Sequence, residues 1–146
     1  MADYTGYVMD EVRAWLDTFA FGFTPVIEQS YDPVKDIAKI FRIKKDDKLL
    51  VWQVLQDFRY KRFGRRVKRL TVMMDLALQQ KVKTLEEKNV MRALLDELVQ
   101  ALDDNRIGVG KLKCKASPAP VYSPLHIQDG VYTGIISLQV SGEFLV

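Results

Sequence analysis

The chain has 146 residues, 48% hydrophobic and 28% charged, with a net charge of +3. That is enough apolar material to bury a core without staples, and it sets the chain apart from disordered sequences. A single cysteine (Cys114) and a single histidine (His126) exclude an intramolecular disulfide, zinc fingers and histidine-based metal clusters.

No apolar run approaches the roughly 20 residues needed to span a bilayer. The opening MADYTGYVMDEVRAW lacks the basic and apolar segments of a signal peptide, so synthesis in a cytoplasm is the expectation. The composition fits one domain over 1–146, with an N-terminal helical region (1–48) and a sheet-plus-helix region (49–146).

Over 3–19, Val8, Val12, Trp15 and Phe19 recur at steps of three and four with Leu16 beside them, which predicts a first helix capped by Asp3. Gly22 and Pro25 then mark a turn. Asp32-Pro33 has the form of a helix start, and Val34, Ile37 and Phe41 follow at helical spacing. That stretch reads either as a short second helix or as irregular edge structure. Residues 49–58, LLVWQVLQDF, predict a buried strand, and the basic stretch 59–66 with Gly64 predicts the loop of a hairpin.

Leu70, Val72, Met74, Leu76 and Leu78 alternate with Arg69, Thr71, Met73, Asp75, Ala77 and Gln79, the pattern of a strand with one buried face. In 84–104, Met91, Leu94, Leu95, Leu98 and Leu102 stack as one apolar stripe, giving the least ambiguous helix of the chain. Thr84 and Glu87 have capping-box spacing, and Asn105 is the expected left-handed stop.

Gly110, Leu112 and Cys114 alternate with Lys111, Lys113 and Lys115, which predicts another strand. Residues 116–127 concentrate three of the five prolines and read as an extended, arm-like loop, unsuited to a helix or a central strand. Asp129-Gly130 signals a turn into a long closing strand, VYTGIISLQVSGEFLV. The expected fold is therefore α+β: a mostly antiparallel four-stranded sheet with an N-terminal helix and one long crossover helix on one face.

Catalytic patterns are scarce. There is no Walker A sequence and no G-x-G-x-x-G. Ser123, His126 and Asp129 lie close together on the Pro-rich loop and read as ordinary loop residues, while alternation turns Cys114 into the core. Asp46-Asp47 and Asp103-Asp104 read as a polar turn and a helix end, and Asp57 and Asp75 fit an acid-metal site only loosely. No catalytic, cofactor or metal site is expected.

Charge distribution is more informative than its total. Residues 59–69 hold seven basic residues and no acid, whereas 84–104 carries six acids against Lys88 and Arg92. Arg59, Lys61, Arg62, Arg65 and Arg66, interleaved with Tyr60 and Phe63, suit a phosphate backbone, an acidic protein surface such as the helix of a neighbouring copy, or plain solvation. Protein contact is preferred, since one short basic tip is not the continuous face a duplex would track. With Pro118, Pro120, Tyr122 and Pro124 of the extended loop, these residues are the candidate interface.

The order of elements and the closing DGVYTG running into IISLQVSGEF resemble the small tail-terminator proteins of long-tailed bacteriophages, also catalogued as minor capsid or tail-completion proteins. LLVWQVLQDFRY, VKRLTVMMDLALQ and EEKNVMRALLDELVQAL fit that plan as first strand, partner strand and crossing helix. The resemblance covers 49–146 more fully than the first 48 residues. It implies a non-catalytic virion protein forming a homohexameric ring that caps the tail tube and joins it to the head-side neck. The implied partners are other copies of the chain, the tail tube protein and the neck connectors, with DNA only passing through the lumen and no membrane. The other readings are a nucleic-acid-binding module using the basic hairpin and a different head–tail connector.

Overall fold

The structure, a computed structural model, describes residues 3–19, 26–31, 50–62, 64–108, 110–119 and 131–145. Asp3 accepts a hydrogen bond from Gly6 N at 2.9 Å and caps α1 (Tyr4–Thr18), whose Val8, Met9, Val12 and Leu16 are buried. Thr84 accepts from Glu87 N at 3.2 Å and opens α2 (Leu85–Leu102), burying the stripe Met91, Leu94, Leu95, Leu98 and Leu102. The reciprocal half of the capping box is displaced by one residue: the Glu87 carboxylate accepts from Lys83 N at 2.6 Å. The helix stop is displaced likewise, because Asp104, not Asn105, takes the left-handed φ of 57°.

Six strands form one sheet: β1 (Val26–Ser30), β2 (Leu50–Arg62), β3 (Val67–Lys81), β4 (Arg106–Ile107), β5 (Leu112–Ala119) and β6 (Val131–Leu145). Their order is β1-β2-β3-β6-β5-β4, with β1 parallel to β2 and the other pairs antiparallel. The sheet curls into a half-barrel. After β3 the chain crosses with α2 to the far edge, returns through β4 and β5, and inserts β6 beside β3. Both helices bury their apolar stripes in one cluster with Leu70 to Leu78 of β3 and Ile136, Leu138 and Val140 of β6. Gly134 of β6 makes room for α2, since a Cβ there would lie 3.0 Å from the Leu95 methyls.

The expected four-stranded antiparallel sheet is thus corrected to a six-stranded mixed one. The two additional strands are five and two residues long, too short to show a period. Pairing of β1 with β2 is a long-range event that local alternation does not reveal.

The hairpin is also longer than expected. β2 runs to Arg62 and β3 begins at Val67, so Arg59, Lys61 and Arg62 are strand residues and only the tip, with Arg65 and Arg66, is loop. The Pro-rich segment is corrected in part, because 116–119 belong to β5. The amides of Cys114 and Ala116 point away from β6, to Asn105 O at 2.8 Å and Asp103 Oδ1 at 3.1 Å. By the same alternation the nitrogen of Pro118, paired across from Ile136, faces the outer edge, where a missing N–H breaks no ladder bond. The possible helix from Pro33 to Phe41, Asp46-Asp47, Phe63, Pro120, Tyr122, Ser123, Pro124, His126 and Asp129-Gly130 lie outside the described residues.

Candidate functional site

One irregularity decides which face the hairpin cations occupy. Before Gln56, Val51, Gln53 and Leu55 pair across from Leu78, Leu76 and Met74, on the face packed by the helices. The register shifts between Leu55 and Asp57, and after it Phe58, Tyr60 and Arg62 pair across from Val72, Leu70 and Lys68 on that same face. Asp57, Arg59 and Lys61 are thereby turned to the far face. Without the bulge, period-two alternation would aim Arg59 and Lys61 at the side that holds the core.

On the far face the register lines up a basic tract from strands distant in sequence. Arg59 stands opposite Thr71, Thr71 opposite Ser141, Ser141 opposite Lys113, and Lys113 opposite Arg106, one row across five strands. The flanking rows add Lys61 and Arg69 on one side and Lys115, beside Gln139, on the other. Each of these cations is exposed. The basic residues thus extend beyond the hairpin tip: Arg59 and Lys61 share the far face with Lys113, Lys115 and Arg106 across the neutral Thr71 and Ser141, and Lys111 follows in the β4–β5 turn. In the sequence Lys111, Lys113 and Lys115 form the polar half of a strand, and nothing local joins them to the hairpin. Their alternation was the signal; the missing fact was that β6 lies between β3 and β5.

Arg59 and Arg69 form ion pairs, and Arg106 Nη1 donates to Gly110 O at 3.4 Å. Arg59 Nε lies 3.1 Å from Asp57 Oδ2, and Arg69 Nη2 lies 3.0 Å from Glu143 Oε1 across the β3–β6 pair. Lys111, Lys113 and Lys115 have no carboxylate within ion-pair distance among the described residues. An open groove of about 1210 Å³ runs along this tract, lined by Arg69, Arg106, Lys111, Lys113, Lys115 and Gln139, with the acids Asp3 and Glu143 and the rings of Tyr4, Tyr7 and Phe144 also on its walls. Enclosed small-molecule sites run to about 300–1,000 Å³ and are mostly apolar. The groove instead suits an extended, negatively charged partner.

The remainder of the far face differs. Trp52, Val54 and Ala77 are buried in a second apolar cluster that Ile135 joins. Between this cluster and the basic tract sits Asp75, which accepts from Gln56 Nε2 at 3.0 Å and from Ser137 Oγ at 3.5 Å. Partial burial pushes its carboxyl above the usual value, against the pull of both hydrogen bonds. Cys114 lies fully buried among core residues, and burial raises its thiol to about 11, the opposite of an activated nucleophile.

The helix side carries the opposite charge. Glu86, Glu87, Asp96, Glu97, Asp103 and Asp104 of the α2 segment are all exposed. Leu85 and Val90 beside them are the most exposed large hydrophobic residues described, at 73% and 60%. Phe58 and Tyr60, about half exposed and edge-to-face at 6.1 Å, mark the hairpin arm, with Lys68 Nζ 5.9 Å from the Tyr60 ring. Among the described residues no group of three His, Cys, Asp or Glu side chains is placed to hold a metal, and no helix is long and apolar enough to cross a membrane. Compared with protein-family models and with curated proteins, the sequence matches none.

Proposed function

We propose that this chain is a structural protein of a tailed-bacteriophage virion, a tail terminator whose copies form a ring that caps the tail tube and joins it to the head-side neck. The observation that carries the reading is the opposition of charge within one domain. An exposed basic tract on the far face and an exposed acidic helix on the other side let each copy offer its neighbours both halves of a contact. The order of elements, with an N-terminal helix, a sheet, a crossing helix and a closing strand, agrees with the plan that the resemblance implies. In this reading the ring has six copies and its partners are the tail tube protein and the neck connectors. DNA passes through its lumen, and the protein acts by assembly, without catalysis. It is made in the host cytoplasm and ends in the virion.

Native mass and two-dimensional image classes, taken alone and with a tail tube protein, test the proposal. Closed rings that bind the tube support it. A ring indifferent to the tube indicates a different head–tail connector, and a monomer under both conditions rejects the ring. The row from Arg59 to Arg106 favours one further reading, a nucleic-acid-binding module. Such a module would retain duplex DNA with an affinity falling by close to one power of salt per phosphate contact.

A further inference from the structure

We infer that the basic tract of the far face receives the acidic outer side of α2 from a second copy. The inference rests on the ring reading above and specifies which two surfaces meet. Lys111, Lys113 and Lys115 are exposed and have no ion-pair partner among the described residues, and the same holds for Glu86, Asp96 and Glu97. Two sets of unneutralised charge, opposite in sign, thus lie on opposite sides of one domain.

Size agrees with charge. The five-strand row from Arg59 to Arg106 spans about 19 Å at the usual strand spacing. Glu86 to Glu97 spans roughly 16 Å along a helix. The α2 surface also has an apolar component, since Leu85 stands exposed just before Glu86 and Val90 between Glu87 and Asp96. A helix that served solubility alone would have little use for them; a helix that docks gains by burying them.

The geometry fixes the symmetry class. α2 packs on the helix face and the cations lie on the far face, so one copy cannot bring its own two surfaces together. Each contact joins unlike surfaces, the heterologous arrangement that generates a closed ring or an open filament. Because the charges sit near the surface, their attraction is screened by salt.

Reciprocal charge reversal tests the inference. In one variant Lys113→Glu and Lys115→Glu make the tract acidic; in the other Asp96→Lys and Glu97→Lys make the helix basic. All four sites are exposed, and circular dichroism with an unfolding midpoint checks that each variant folds. Each variant alone is expected to sediment as monomer, because like surfaces face each other. An equimolar mixture is expected to regain the assembled mass, the two variants alternating. If both variants assemble as wild type does, the contact is wrong and the ring reading survives. If each fails and the mixture fails too, the pairing is overturned. A lysine-reversal variant that assembles normally but loses retention of duplex DNA makes the tract a nucleic-acid surface and overturns the inference. A wild type that stays monomeric both alone and with the tail tube protein removes both readings together.

Discussion

On the helix face Leu70, Val72, Met74, Leu76 and Leu78 of β3 are buried beneath two helices, whereas on the far face Arg69, Thr71, Met73 and Asp75 of the same strand stay exposed or half-buried. One strand therefore serves two purposes, separated by the period-two alternation of its side chains. Most of the buried core lies on one side, with the smaller cluster of Trp52, Val54 and Ala77 on the other. Charge is arranged on that second side, where it costs the fold little. The division predicts that substitutions on the two faces separate cleanly in their effects.

The largest effect belongs to the core. Leu98 is fully buried in α2, and Leu98→Ala is expected to lower stability by roughly 2–5 kcal/mol, read as a fall in denaturant midpoint. A midpoint equal to wild type would mean that α2 does not pack on this face.

Gln53 comes next, the one polar side chain among the described residues that is buried to 0% exposure. Its Nε2 donates to Met9 O of α1 at 3.0 Å, and its Oε1 accepts from Gln29 of β1 at 3.1 Å. It ties the first helix to the parallel edge of the sheet. Gln53→Leu removes both hydrogen bonds and is expected to cost about 1–3 kcal/mol in the same assay. An unchanged midpoint would show that packing alone positions α1.

Asp75 on the far face gives the smallest effect and a definite sign. Its carboxyl titrates above the unfolded value, so the fold favours the protonated form. That contribution is present at acid pH and is lost as pH rises from the unfolded carboxylate value through the raised folded one. Asp75→Asn removes the charge, and the Gln56 amide can turn to accept the new donor. The variant is expected to match wild type at acid pH and to exceed it at neutral pH by less than about 0.5 kcal/mol. A variant weaker than wild type at neutral pH would mean that the carboxylate's hydrogen bonds outweigh its desolvation.

Legibility in the sequence followed the same division. The stripe of α2 and the alternation of β3 and β6 are local patterns with strong burial contrast, and these elements lie close to where periodicity put them. Three features depend on non-local pairing and were not legible. β1 is short and follows Pro25, so Val26–Ser30 carries too little pattern to compete with a turn. Arg59, Lys61 and Arg62 suggested a loop because charge is rare in buried strands, yet they belong to the outer part of a long hairpin whose far face is exposed. The basic tract itself needs the bulge at Gln56 and the insertion of β6 between β3 and β5. Neither leaves a mark in composition or spacing, although Lys111, Lys113 and Lys115 had been visible as an alternating set throughout.

The claim that the far face acts in association while the helix face holds the fold is tested most directly by the mass of the wild-type protein at two salt concentrations. Between about 0.1 M and 1 M the screening length falls from roughly 10 to 3 Å. The account predicts an assembled mass at the lower concentration that falls toward the monomer at the higher one, with no loss of thermal stability. An assembled mass indifferent to salt would contradict it.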